Sequence, residues 1–388
     1  MEVVDGLNMY QVVILNRVVC DYRRRFHLEL RRSLKGLGIE LTLLAGAPRK
    51  GEFLVDDLEE AGGVRGKNKH LMGKPYWTTG AVEAATRADL VILEQANAAL
   101  HNYWLLVSRR LRRKPRRTAF WGHGYSVDAL GGQPVRTAWK RHIATKVDWW
   151  FAYTPTTTTL LESWGYPPSQ ITTVNNSIDT RSLRAHAHEG SDADQLLARH
   201  ELFGGDSGSG PLGVYCGRLT ANKEIPFLLQ TIGELHRERP DFRFVLIGDG
   251  PFAAAVREFQ RGRTWFRWVG PMHGPERARI ISLADVWLNP GGVGLGVLDA
   301  FSVGVPMATT SGGMHGPEFA YLKDGFNGVV TEHSILDFAA GVLSLLANPA
   351  RLASLQSEAW ESGKRYSSED MASRFTNGIL ACLGTPDG

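Results

Sequence analysis

Five groups of residues in this 388-residue chain have the types and spacing to do chemistry. GRLTANKEIPFLL carries Arg218 and Lys223 after an apolar run. A guanidinium offers a planar fork of donors and an ammonium a mobile point charge, so together they suit a diphosphate; two residues solvating a loop have the same spacing. FVLIGDGP places Gly248 and Gly250 in a turn, where bare backbone permits close approach of a ligand. NPGGVGLGVLDAF sets Gly291, Gly292, Gly294 and Gly296 around Val293 and Leu295, just before a helix-like run. Free N–H groups and the dipole at such a helix start form a phosphate site, although glycine-rich loops also serve tight packing. Asp299, the only ionisable side chain there, cannot hold phosphate but can accept bonds from sugar hydroxyls. GGMHGPEF adds His315 and Glu318, and GHG puts His123 between glycines at a strand end, sterically open unless it serves the core.

These groups share a position: each follows a short apolar run of strand length. Such runs recur at 11–19, 39–46, 88–95, 118–124, 149–154 and 171–180, then at 211–219, 242–250, 265–270, 285–290, 305–313 and 327–332, with helical stretches between. Alternating strands and helices predict parallel βαβ units, hence an α/β fold of two doubly wound sheets whose ligands sit beyond the carboxyl ends of the strands. RAHAHEGSDADQ and GGDSGSG break the alternation. The expected organisation is a domain over 1–180, a connection over 181–210, a second domain over 211–365, and a helix over 366–388 packing back on the first domain.

Composition is that of a soluble globular protein, 43% apolar and 22% charged. Cys20, Cys216 and Cys382 lie far apart with no metal-binding spacing, which fits a reducing compartment. The first apolar run is short and follows acidic residues, unlike a signal peptide, and no stretch reaches the ~20 apolar residues of a membrane span; the expected location is cytoplasmic. Of 44 Lys+Arg and 40 Asp+Glu, 25 and 17 fall within 1–180, giving +8 there and −4 beyond. Nucleic acid is a poor match for the basic half, which lacks a recognition motif and interleaved aromatics.

Taken in order, GRLTANKEIPFLL, FVLIGDGP, NPGGVGLGVLDAFSVGVPMATT, SGGMHGPEF and DGFNGVV resemble the donor domain of the GT-B glycosyltransferases of family 4, and VNNSIDT resembles the end of their N-terminal domain. The resemblance implies two Rossmann-like domains facing a central cleft. It also implies retaining transfer from a nucleotide-diphosphate sugar, with no cofactor and no essential metal. Arg218 and Lys223 would bind the diphosphate, joined by N–H groups around Gly294–Gly296, and Asp299 would hold the ribose hydroxyls as the second carboxylate of the E-x7-E motif. His123 matches an acceptor-side histidine. The first carboxylate is missing: Gly291 stands in its place, and His315 or Glu318 is the candidate substitute.

A front-face substitution follows from this arrangement, with the leaving phosphate oxygen taking the acceptor's proton and His123 positioning the acceptor. The expected acceptor is a glycan or lipid-linked glycan, as in cell-surface polysaccharide, lipopolysaccharide or glycolipid synthesis. Asn16 and Arg17 at the first strand's end lie on the acceptor side. Arg23, Arg24, Arg31, Arg32 and Lys35 on the first helix, with RRLRRKPRR (109–117), suggest peripheral contact with an anionic leaflet, at ~1 kcal/mol per Lys or Arg near the surface. A nucleotide-sugar epimerase of the same architecture and a catalytically silent binding module remain alternatives.

Overall fold

The structure is a computed structural model and describes residues 10–50, 52, 54–71, 74–124, 134–187, 192–204 and 210–384. It divides into two compact units, Met1–Asp179 with Ser368–Gly388, and Thr180–Ser367.

In the first unit, strands β1 (Tyr10–Asn16), β2 (Ile39–Ala45), β3 (Val64–Arg65), β6 (Leu90–Glu94), β7 (Arg117–Gly122), β8 (Trp149–Ala152) and β9 (Ile171–Thr173) form a parallel sheet in the order β3-β2-β1-β6-β7-β8-β9. A short antiparallel pair, β4 (Asn68–His70) and β5 (Tyr76–Thr78), stands apart from it. Helices α1 (Arg24–Lys35), α2 (Ala81–Arg87), α3 (Leu100–Arg112), α4 (Pro134–Ala144) and α5 (Pro155–Ser163) connect the strands. The second unit holds α6 (Thr180–Ala187), α7 (Asp192–Phe203), β10 (Leu212–Cys216), α8 (Ile225–Glu238), β11 (Arg243–Ile247), α9 (Ala253–Gln260), β12 (Phe266–Gly270) and α10 (Gly274–Ser282). There follow β13 (Val286–Leu288), α11 (Gly296–Ser302), β14 (Met307–Thr310), β15 (Gly328–Thr331), α12 (Ile335–Leu346) and α13 (Pro349–Arg365). Its sheet order, β12-β11-β10-β13-β14-β15, reverses direction between β10 and β13, and the first sheet reverses between β1 and β6. Strand order reversal parts the connecting loops and opens a crevice at the carboxyl ends. The strands read as apolar runs because parallel sheets bury both faces; Val12, Ile14, Leu90, Ile92, Val214, Val245 and Leu246 are fully inaccessible.

Residues 181–210 depart from the expected open connection. Most of the stretch lies in α6 and α7, which pack on α10, α11 and β12, with Leu183 and Ala187 buried; 188–191 and 205–209 lie outside the described residues. In α6 the polar residues flank a face formed by Leu183 and Ala187, while α7 buries Ala198 and Phe203 and leaves Leu196 and Leu197 exposed. The chain's last helix, α14 (Ser368–Gly384), packs on α1 and puts Phe375 against Phe151 (ring centroids 4.4 Å apart), Phe26 (5.0 Å) and Trp121 (5.1 Å).

His27 lies in this same core, 1% exposed, and neither ring nitrogen has a hydrogen-bond partner among the described residues. Burial, helped by Arg23 and Arg31, holds its imidazole down at about 3. The folded state therefore keeps His27 neutral while the unfolded chain gains a proton below ~6.5. Stability from this group is complete above that pH and falls as pH drops towards 3. Between pH 7 and 5 the loss is about 2 kcal/mol. Urea unfolding at both pH values should show His27→Leu losing less than the parent by that amount; equal losses would contradict the assignment.

Candidate functional site

At the β10/β13 crevice the loops after four strands of the second unit converge. Arg218 follows β10, exposed and without a side-chain partner among the described residues. Lys223 ends a short 3-10 turn (Ala221–Lys223), and its Nζ donates to the Gly292 carbonyl of the loop after β13. Burial lowers the Lys223 ammonium to about 8, with Arg218 acting in the same direction and the Glu318 carboxylate opposing it. The Gly292 N–H returns a bond to the Asn222 carbonyl at 2.7 Å. The two loops are thus locked main chain to main chain.

That lock explains Gly291. A Cβ there would lie 2.6 Å from the Asn222 oxygen and 2.6 Å from the Lys223 carbonyl carbon, both backbone atoms. The volume next to Gly291 is therefore filled by the Lys223 turn. Gly313 is also tightly placed, its Cβ direction meeting His315 Cε1 at 2.8 Å and the Gly291 carbonyl at 3.0 Å. Gly248 and Gly250 serve the same purpose: with φ of 138° and 155°, their missing side chains make room for the Gly217 and Leu219 carbonyls of the Arg218 loop. The close approach expected of a ligand is made by protein backbone.

Further along, the pattern opens. The N–H groups of Gly294, Leu295 and Gly296 have no partner among the described residues, whereas that of Val297 already bonds to the Gly294 carbonyl at 3.1 Å. Three free donors thus stand at the start of α11. Val293, in contrast, is a core residue: its side chain is 1% exposed, its N–H donates to His315 Nδ1 (3.1 Å), and its carbonyl accepts from Gly316 (2.6 Å).

His315 is not an open sugar ligand. Its Nε2 sits 2.8 Å from the Thr310 carbonyl while Nδ1 accepts from Val293, so the ring is a neutral Nε2–H tautomer with both nitrogens engaged. Burial lowers its pKa, the Thr310 carbonyl opposing, and Phe319 stacks on it at 4.1 Å. Glu318, the other candidate, is buried beside Gly316 in the same loop and acts electrostatically on Lys223. Two residues that sequence reasoning passed over brace the strand ends: Thr309 and Thr310 donate to the Asn289 (2.7 Å) and Pro290 (2.8 Å) carbonyls.

Asp299 is likewise not a free carboxylate. Arg277 of α10 grips it through both terminal nitrogens, at 3.0 and 3.4 Å. Burial raises the Asp299 pKa and Arg277 counters this. The remaining oxygen lone pairs can still accept hydroxyls. Removing only Arg277 strands a buried charge: Arg277→Met should cost about 3 kcal/mol, and adding Asp299→Asn should recover most of it. Additive urea-unfolding losses would show that the two side chains are not coupled.

In the first unit, Asn16 and Arg17 close β1 opposite Glu94 and Gln95, which close β6. Glu94 was not singled out by spacing, yet it accepts the Arg17 N–H at 2.7 Å, and burial raises its pKa. Arg17 is held by Glu52 at 2.8 Å. His123 follows β7, edge-on to Tyr153 at 5.8 Å, on a turn that Gln95 pins through both polar groups of Gly124 (2.9 and 3.2 Å). The first-helix arginines are largely spent within the fold. Arg23 is 7% exposed, its guanidinium 4.7 Å from the Trp121 ring centroid. Arg31 donates to the Leu41 (2.6 Å) and Gly62 (2.7 Å) carbonyls, and Arg24 pairs with Asp57 (3.2 Å). Arg32 pairs with Glu29 (3.3 Å); only Lys35 projects without a partner among the described residues.

Two family profiles match the chain, Glycosyltransferase Family 4 over residues 24–182 and Glycosyl transferases group 1 over 210–348. The structure superposes on HepE of Anabaena, solved with UDP and glucose, with a TM-score of 0.68 at 14% identity, covering 96% of this chain and 99% of that one. The chain belongs to glycosyltransferase family 4, with the GT-B fold. Among curated relatives it is similar to an alpha-monoglucosyldiacylglycerol synthase of Acholeplasma laidlawii, 23% identical over 45% of this chain and 43% of that protein. It is also similar to a D-inositol 3-phosphate glycosyltransferase of Thermobispora bispora, 27% identical over 56% and 51%. The chain thus spans about half the length of the curated relatives it matches. Among the described residues no helix is by itself long and apolar enough to cross a membrane.

Proposed function

We propose that this family 4 protein is a retaining glycosyltransferase that moves a sugar from a nucleotide-diphosphate sugar to a hydroxyl of a glycan or lipid-linked glycan. The observation that carries the reading is the set of free donors at the β10/β13 crevice: the Arg218 guanidinium and the consecutive N–H groups of Gly294, Leu295 and Gly296. Negative charge grows on the leaving diphosphate as the glycosidic bond breaks. Fixed donors aimed at such charge supply much of the stabilisation in group transfer. Arg218, Lys223 and the loop amides perform that role in this reading without calling on a metal. The leaving phosphate oxygen takes the acceptor hydroxyl's proton on the same face, which keeps the anomeric configuration, and His123 orients the acceptor. The UDP and glucose bound in the Anabaena structure favour a uridine nucleotide.

The test incubates the full chain with UDP-, GDP-, dTDP- and ADP-sugars, and measures free nucleotide and sugar identity together. Nucleotide release, accelerated by a glycan acceptor, is the expected result. An isomerised sugar without release would make the protein an epimerase, and binding with neither would make it a silent module; either result overturns the proposal.

A further inference from the structure

The solvent side of α3 is apolar. Trp104, Val107 and Leu111 are 37%, 57% and 76% exposed, and their spacing of three and four places them on one helix face. The opposite side, with Leu105, Leu106 and His101, is buried in the unit. Trp139 of α4, 51% exposed, extends the apolar face through Tyr103, whose ring centroid lies 6.2 Å away. A soluble surface rarely groups two tryptophans, a leucine and a valine without a partner.

Charge identifies the partner. Within RRLRRKPRR, Arg109 and Arg117 are tied to Asp148 (3.2 and 3.7 Å) and Arg116 faces Asp89 (4.0 Å). Arg110, Arg112, Arg113 and Lys114 are exposed and have no acidic partner among the described residues. Arg141 of α4 is exposed beyond Trp139. Basic side chains around an aromatic and aliphatic ridge match a lipid interface, where rings enter the headgroup boundary and cations meet lipid phosphates. A second copy of this chain would place like charges against each other.

We infer that the α3/α4 face docks on an anionic bilayer, through insertion of Trp104, Leu111 and Trp139 with Arg110, Arg112, Arg113 and Lys114 on lipid phosphates. This places the membrane contact on α3 and α4, and away from the largely paired arginines of α1. It deepens the transferase reading, on which it rests for one consequence only: the acceptor is then lipid-borne and presented at that surface.

Vesicle flotation of the full chain tests it, using phosphatidylcholine alone and phosphatidylcholine mixed with phosphatidylglycerol. Binding should require phosphatidylglycerol and weaken with salt. The pairs Trp104→Ala/Leu111→Ala and Arg110→Gln/Arg113→Gln should each lower partitioning ~10-fold or more. Arg32→Gln on α1 should leave it unchanged, and UDP-induced thermal stabilisation should persist in all of them. Equal partitioning on the two vesicle types would overturn the inference, as would folded variants that bind like the parent. So would a dimer dispersed by the Trp104/Leu111 pair, or tight binding to duplex nucleic acid with no vesicle binding. Nucleotide release measured without vesicles reports on the transferase reading separately.

Discussion

Gly291→Ala is expected to abolish nucleotide-dependent thermal stabilisation and to lower turnover by ~100-fold or more, and Gly291→Glu, which sets a carboxylate where the resemblance to the E-x7-E pattern would have one, should be no better. The reason is steric. The first atom of any side chain at this position meets the backbone of Asn222 and Lys223, and backbone locked by the Gly292–Asn222 bond cannot rotate aside as a side chain would. Overpacking of this kind costs typically ~1–3 kcal/mol of stability, and the more serious effect is displacement of Lys223. Gly233→Ala on α8 is the matched control, because its Cβ also meets nothing within 4 Å and the residue is no part of the crevice. Turnover near the parent's for Gly233→Ala and a collapse for Gly291→Ala is the predicted pair. A Gly291→Glu protein that gains activity would show that the pocket accepts the family carboxylate after all.

The sheets were legible because each strand of a parallel sheet is an apolar run with a turn at its end, and the site residues follow from asking what comes next in the chain. Arg218, Lys223, the glycine loop, His315 and Glu318 gather at one crevice for that reason. Three kinds of feature were not legible. Strands β3, β4 and β5 are two or three residues long and partly exposed, so they carry little periodic signal. Helices α6 and α7 bury few side chains, and their polar composition reads as a linker. Partnerships across sequence left no trace: nothing in PMHGPERARII announces that Arg277 holds Asp299, and nothing in MATTSGGMH says that both His315 nitrogens are used to fix Val293 and Thr310. Sequence reasoning treated His315 and Asp299 as free ligands because a side chain's partners belong to the fold. The basic half shows the same principle in reverse. Composition marked α1 and α3 alike, and only the ion pairs separate spent arginines from available ones.

Lys223 and Arg218 are the remaining test of the phosphate assignment, and they should differ in a way that burial dictates. Arg218 is exposed and offers its planar fork of donors to the crevice. Arg218→Ala should cost ~3 kcal/mol of transition-state stabilisation, about a hundredfold in turnover, and should move the alkaline limb set by Lys223 to higher pH, because Arg218 helps to lower that ammonium. Lys223 is different because burial lowers it to about 8. Its folded pKa lies below the ordinary lysine value, so the ammonium is intact at neutral pH and lost as pH rises through 8. Donor affinity in the parent should therefore weaken on the alkaline side, with the Michaelis constant for the nucleotide sugar rising above pH 8. Lys223→Met should lower kcat/KM by a similar ~100-fold at pH 7 and, in addition, erase that alkaline limb. Bound diphosphate stabilises the charged amine, so saturating donor should push the limb to higher pH in the parent and have nothing to push in the variant. A Lys223→Met protein that keeps both its turnover and its alkaline limb would remove Lys223 from the diphosphate site, and the buried ammonium would then be only the clamp that holds the Gly292 carbonyl in place.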